Sequence, residues 1–154
     1  MATKFTSPSI TLGDNYRNTP FYRADIIFEG VDHSGISYEG RVFLNNPNAD
    51  ETTPTTSENG YAESFYIFGH GGCFGDLGHC DLSTKRSYDK RGQQPLTPLS
   101  IRVDVTDTMK RIVQNENQLT VTIVPMIHTP DDSLEMDNCL KFKKFNLEFY
   151  DMPH

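Results

Sequence analysis

Apolar and polar positions alternate in several short runs along this chain, and almost nowhere do they follow a helical period. Residues 21–31, FYRADIIFEGV, mix alternation with β-branched side chains and read as a strand. The turn signal at residues 32–35, DHSG, predicts a hairpin into residues 36–44, ISYEGRVFL. There Ile36, Tyr38, Val42 and Leu44 share one parity, with Gly40 as the expected site of a bulge. Residues 61–68, 101–105, 119–124 and 140–150 continue the strand pattern, the last with a bulge expected near Lys144. One helical stretch interrupts it. Met109, Ile112 and Val113 would face inward over residues 108–114, with Thr106 or Asp107 as cap.

The linking stretches differ in character. Residues 1–18 are polar and read as an N-terminal arm or a short edge strand, so the domain proper runs over residues 19–151. Residues 45–60 show no apolar period and read as a long, mobile acidic loop. The total is about seven short strands and one short helix with no βαβ rhythm. That pattern predicts an all-β fold, an antiparallel β-sandwich or jelly roll.

Composition narrows the function classes. The chain has 154 residues, enough for one domain, and 36% of them are hydrophobic, with 10 Phe and 7 Tyr. A formal charge of -7 argues against a nucleic-acid partner or an anionic membrane surface, which need a basic footprint. No apolar run is long enough to span a bilayer as a helix. The first residues carry no apolar signal core, so a cytoplasmic location is the expectation, unless the chain is a fragment of a longer one.

Chemistry concentrates in residues 65–81, FYIFGHGGCFGDLGHCD, which hold five glycines and two of the three cysteines. His70, Cys73, His79 and Cys80 are thiolate and imidazole ligand types that suit Zn(II) or Cu(I). Their spacing is not that of a zinc finger, and adjacent His79 and Cys80 diverge on an extended backbone. A Cys73–Cys80 disulfide, or buried thiols and hydrogen-bonded histidines in a structured loop, are the alternatives. A nucleophilic cysteine activated by His70 or His79 lacks a placed partner. A phosphate cradle lacks the GK[ST] signature and a following long helix. His33, His128 and His154 are expected in solvent, and no carboxylate pair stands out as an acid/base couple.

Several stretches together resemble a known family. They are residues 42–47 (VFLNNP), 66–76 (YIFGHGGCFGD), 78–80 (GHC) and 103–107 (VDVTD). They resemble the C-terminal β-sandwich domain that follows the di-copper domain in bacterial tyrosinase-like, type 3 copper proteins. The resemblance spans roughly residues 21–150. It implies a sandwich that packs on a copper oxidase, covering its active-site entrance or assisting copper loading, with His70, Cys73, His79 and Cys80 as a transient copper site. A di-copper centre needs six histidines on a helical bundle, and this chain has five histidines and no bundle pattern. The expectation is therefore a non-enzymatic accessory domain with a tyrosinase-like partner. A self-assembling structural sandwich, a homo-oligomer using its strand edges, is the alternative.

Overall fold

The computed structural model describes residues 3–13, 21–69, 99–128 and 139–151. Among them are nine strands and one α-helix: β1 (Phe5–Thr6), β2 (Ile10–Thr11), β3 (Arg23–Val31), β4 (Tyr38–Leu44), β5 (Tyr61–Ile67), β6 (Leu99–Asp104), α1 (Thr106–Asn115), β7 (Gln118–Leu119), β8 (Val121–Met126) and β9 (Lys144–Tyr150). All pairings are antiparallel. One sheet has the order β1-β8-β4-β5, a second has β6-β3-β9, and β2 pairs with β7 separately. The all-β reading with one short helix holds.

Two sheets pack face to face because each has one apolar face. From β3 the buried set is Ala24, Ile26 and Phe28, from β4 Tyr38, Val42 and Leu44, from β8 Val121 and Ile123. These meet Phe65 and Ile67 of β5 and Val103 of β6 in a single core. Phe28 sits among Phe65, Phe142 and Phe145, with ring centroids 5.2–6.1 Å away, in tilted and edge-on contacts. The parity expected for Ile36, Tyr38, Val42 and Leu44 holds, as all four are buried.

The hairpin expected at residues 32–35 does not form. β3 belongs to the three-stranded sheet and β4 to the four-stranded one, so the turn carries the chain between layers. Both strands have apolar inner faces, and stacking them buries both at once, which in-plane pairing would not. Asp32 fixes the corner by accepting the Ser34 N–H at 2.8 Å and the Ser34 hydroxyl at 2.6 Å.

Other boundaries shift for local reasons. The helix begins at Thr106 without a side-chain cap from either expected residue. Asp104 instead accepts the Thr106 N–H at 3.0 Å and its hydroxyl at 2.5 Å. The strand expected at 119–124 is split at Thr120, and Pro125 lies inside β8, opposite Gly40. Gly40 carries no bulge. The irregularities fall between Val42 and Phe43 against β5, and between Phe28 and Val31, where Gly30 has φ 71°. No irregularity interrupts β9 near Lys144.

Residues 45–60 are tied down rather than loose. Ala49 is buried with Phe43 and Val124 on the outer side of the four-stranded sheet, and Tyr61 and Met126 flank them. Lys4 donates to the carbonyls of Pro47 and Ala49 at 3.0 and 2.9 Å, and Asn46 donates to the Asn59 carbonyl at 2.8 Å. This segment is a cover for that face, an outcome its polar composition concealed.

Candidate functional site

His70, Cys73, His79 and Cys80 all lie outside the described residues. Among the described residues no group of three or more His, Cys, Asp or Glu side chains is arranged to hold a metal ion. What the described residues do contain are two buried carboxylates, one on the outer face of each sheet.

The first is Asp25, at the centre of β3 and only 1% exposed. Strand register puts Asp104 of β6 and Glu148 of β9 directly beside it, so three carboxylates form one rung. Like charges this close repel, and the neighbouring rungs answer them. Arg23 Nε donates to Asp25 Oδ1 at 2.8 Å, and Arg102 Nη1 donates to Asp25 Oδ2 at 2.8 Å. Charge-assisted bonds of this kind are what make a buried carboxylate tolerable. Arg102 also reaches the Tyr150 hydroxyl at 2.6 Å and lies 5.9 Å from its ring centroid, while Tyr150 donates to Glu148 at 2.5 Å. The bond to Asp25, then that to Tyr150, raise the pKa of Arg102. Burial opposes ionisation of Asp104, but the two Thr106 bonds and Arg23 outweigh it and hold its pKa below normal.

Tyr22, Arg23, Asp25, Arg102 and Tyr150 line a recess of about 310 Å³ at this cluster. An adjoining recess of about 460 Å³ runs past Tyr22 and Arg23 to the first turn of α1. Asp25 lies between the two arginines, and the walls of the smaller recess are tyrosine and arginine. Such a surface can bind by stacking and charge.

The second carboxylate is Glu39 of β4, 7% exposed. It accepts from Ser64 Oγ at 2.7 Å and Arg41 Nε at 3.2 Å, and pairs with His128 Nε2 at 2.8 Å. Tyr61 extends the network through Ser64 at 2.7 Å. Burial would raise the Glu39 pKa. Bonds from Ser64, His128 and Arg41 outweigh burial and hold it below the usual carboxylate range. Ser64 and His128 both bond the carboxylate rather than each other, so this is a structural clamp and not a charge relay. His128 is exposed, as expected, at 60% of its side chain, and it also forms half of this pair.

Both clusters had a signature in the sequence. Arg23-x-Asp25 and Glu39-x-Arg41 place opposite charges two residues apart on a strand, hence on one face. Beside the Glu39 cluster, Tyr66 and Phe68 stand out in solvent, Phe68 at 82% exposure, where the chain enters the glycine-rich segment.

No helix among the described residues is long and apolar enough to cross a membrane, which says nothing of a β-barrel. The chain matches no protein-family profile and no curated protein sequence. Solved structures do share its fold. Latent aurone synthase (polyphenol oxidase) from natural source superposes with a TM-score of 0.54 at 16% identity, over 99% of this chain and 25% of that one. The recombinantly expressed latent aurone synthase gives 0.55 at 14% identity, over 100% of this chain and 25% of that one. The chain thus spans about a quarter of the length of these polyphenol oxidases and has, over nearly all of its own length, the fold of that quarter.

Proposed function

We propose that this chain is a non-enzymatic accessory β-domain that acts on a tyrosinase-like copper oxidase. The observation that carries this reading is the structural overlap: nearly the whole chain coincides with one quarter of a polyphenol oxidase, an enzyme whose solved form is latent. A domain of that kind covers the oxidase or delivers copper to it. The sandwich supplies a stiff body, and the exposed Tyr66 and Phe68 supply apolar contact area beside the glycine-rich segment. In this reading His70, Cys73, His79 and Cys80 of that segment take Cu(I), as their soft ligand types suit.

The test adds the purified chain in trans to a tyrosinase-like oxidase lacking its own accessory domain. A covering domain lowers the rate of phenol oxidation. A copper-loading domain shortens the time for apo-oxidase to become active in limiting copper. If neither quantity changes at a large excess of the chain, the accessory role is wrong. Copper titration with Cys73→Ser and His70→Ala variants addresses the metal separately, and equal, weak binding by both variants and the parent removes that part.

A further inference from the structure

Strand edges are templates for other strands, and proteins guard them with short strands, prolines, bulges, inward charges or covering segments. Most edges of this sandwich are guarded. β1 is only two residues long. β5 and β6, the edges on the other side, lie against each other across the layers, with α1 beside β5. β9 is different. It has seven residues, KFNLEFY, with no proline, no glycine and no charge on its inner face. Among the described residues it pairs with β3 alone. Its inward side chains Phe145 and Leu147 sit opposite fully buried Phe28 and Ile26, yet both remain only partly covered.

We propose that β9 pairs antiparallel with β9 of a second copy of this chain, about a two-fold axis through Asn146. Continuing one sheet requires outer residues to face outer residues, so a residue meets a partner residue of the same parity. Only certain centres are then open, and side chains choose among them. Centring on Asn146 puts Lys144 opposite the partner's Glu148 at both ends, and Phe145 opposite the partner's Leu147. Centring on 144 or 148 sets like charges face to face, and centring on Leu147 leaves Glu148 opposite the partner's Asn146. Lys144 is 67% exposed at its side chain and has one acceptor among the described residues, Glu29 at 3.1 Å, so its ammonium has donors to spare there. Glu148 is 44% exposed at its side chain. The joined sheet has six strands among the described residues and closes upon itself by symmetry, so assembly stops at two. The proposal does not rest on the accessory role, because an edge can pair with or without an oxidase present.

Sedimentation velocity at about 100 μM, where an interface of micromolar Kd is filled, tests it. The wild-type chain is expected to be dimeric. Lys144→Glu and Glu148→Lys each place like charges across the axis twice and are expected to weaken the dimer about tenfold or more. An equimolar mixture of these two variants restores two opposite-charge pairs and is expected to recover the dimer. A monomeric wild type, single variants that dimerise like wild type, or a mixture that stays monomeric each overturns the proposal. Circular dichroism checks that both variants fold. Should either fail to fold, Asn146→Cys decides: opposed Cα atoms in an antiparallel pair lie about 4.5–5.5 Å apart, within disulfide reach. The introduced thiols are expected to join two chains under mild oxidation, and their failure to do so overturns the two-fold centre.

Discussion

Gly40 lies directly opposite Phe65 in the four-stranded sheet, and the phenyl ring occupies the volume a side chain at position 40 would need. A Cβ there would fall 2.3 Å from Phe65 Cζ. The ring in turn packs on Phe28 and Tyr38, with centroids 5.3 and 6.3 Å away. Gly40→Ala must therefore push Phe65 out of the core contact. The expected cost is about 1–3 kcal/mol, as for other overpacked cores, read as a lower denaturation midpoint with an unchanged m-value. An unaltered midpoint would show that the ring is not held there.

Asp25→Asn keeps the shape of the side chain and removes the charge that Arg23 and Arg102 address. It also turns an amide N–H₂ toward a guanidinium. The expected loss is about 2 kcal/mol, discounted because both arginines are half in solvent. That corresponds to a melting temperature lower by roughly 4–8 °C. A melt indistinguishable from wild type would demote the cluster to surface decoration.

The Tyr38 hydroxyl is buried, with no hydrogen-bond partner among the described residues, on a residue that is 4% exposed. Burial, with Cys139 and Asp32 nearby, raises its pKa, so the phenol stays neutral. Tyr38→Phe removes an unsatisfied group without removing a contact. We expect a gain of about 1 kcal/mol, measured by urea unfolding. A loss of that size would reveal a partner for the hydroxyl.

Acid should weaken the fold. Glu39, Asp32 and Asp104 all have folded pKa values held below their ordinary 4.5, 3.8 and 3.8. A depressed carboxylate adds stability above the unfolded value, and that stability drains away as pH falls through the folded one. Stability is thus expected to be flat near neutrality and to drop from about pH 4.5 downward. Glu39→Gln should flatten the upper part of that drop. A profile that rises on acidification would contradict the assignment of these bonds.

The strand pattern carried most of the body. Alternation at Ile36, Tyr38, Val42 and Leu44 named the buried face correctly. It could not say which strand lay alongside, because burial fixes a face and not a neighbour. Residues 32–35 carry the same turn chemistry whether the chain folds back in one sheet or steps to the other. The cover formed by residues 45–60 was hidden because it is anchored by backbone carbonyls, Asn46 and a lone Ala49, none of which produces a period. His128 gave no clue to Glu39, 89 positions away. Arg23-x-Asp25 and Glu39-x-Arg41 did leave a trace, legible once their stretches were taken as strands.

β5 leads through Gly69 toward the glycine-rich segment. Its root is pinned: Gly69 donates to Ser37 Oγ at 2.9 Å, and a Cβ at position 69 would fall 2.0 Å from the Gly35 carbonyl oxygen. A side chain of any kind at position 69 would meet backbone there, so substitution of this glycine is expected to shift the end of β5 itself.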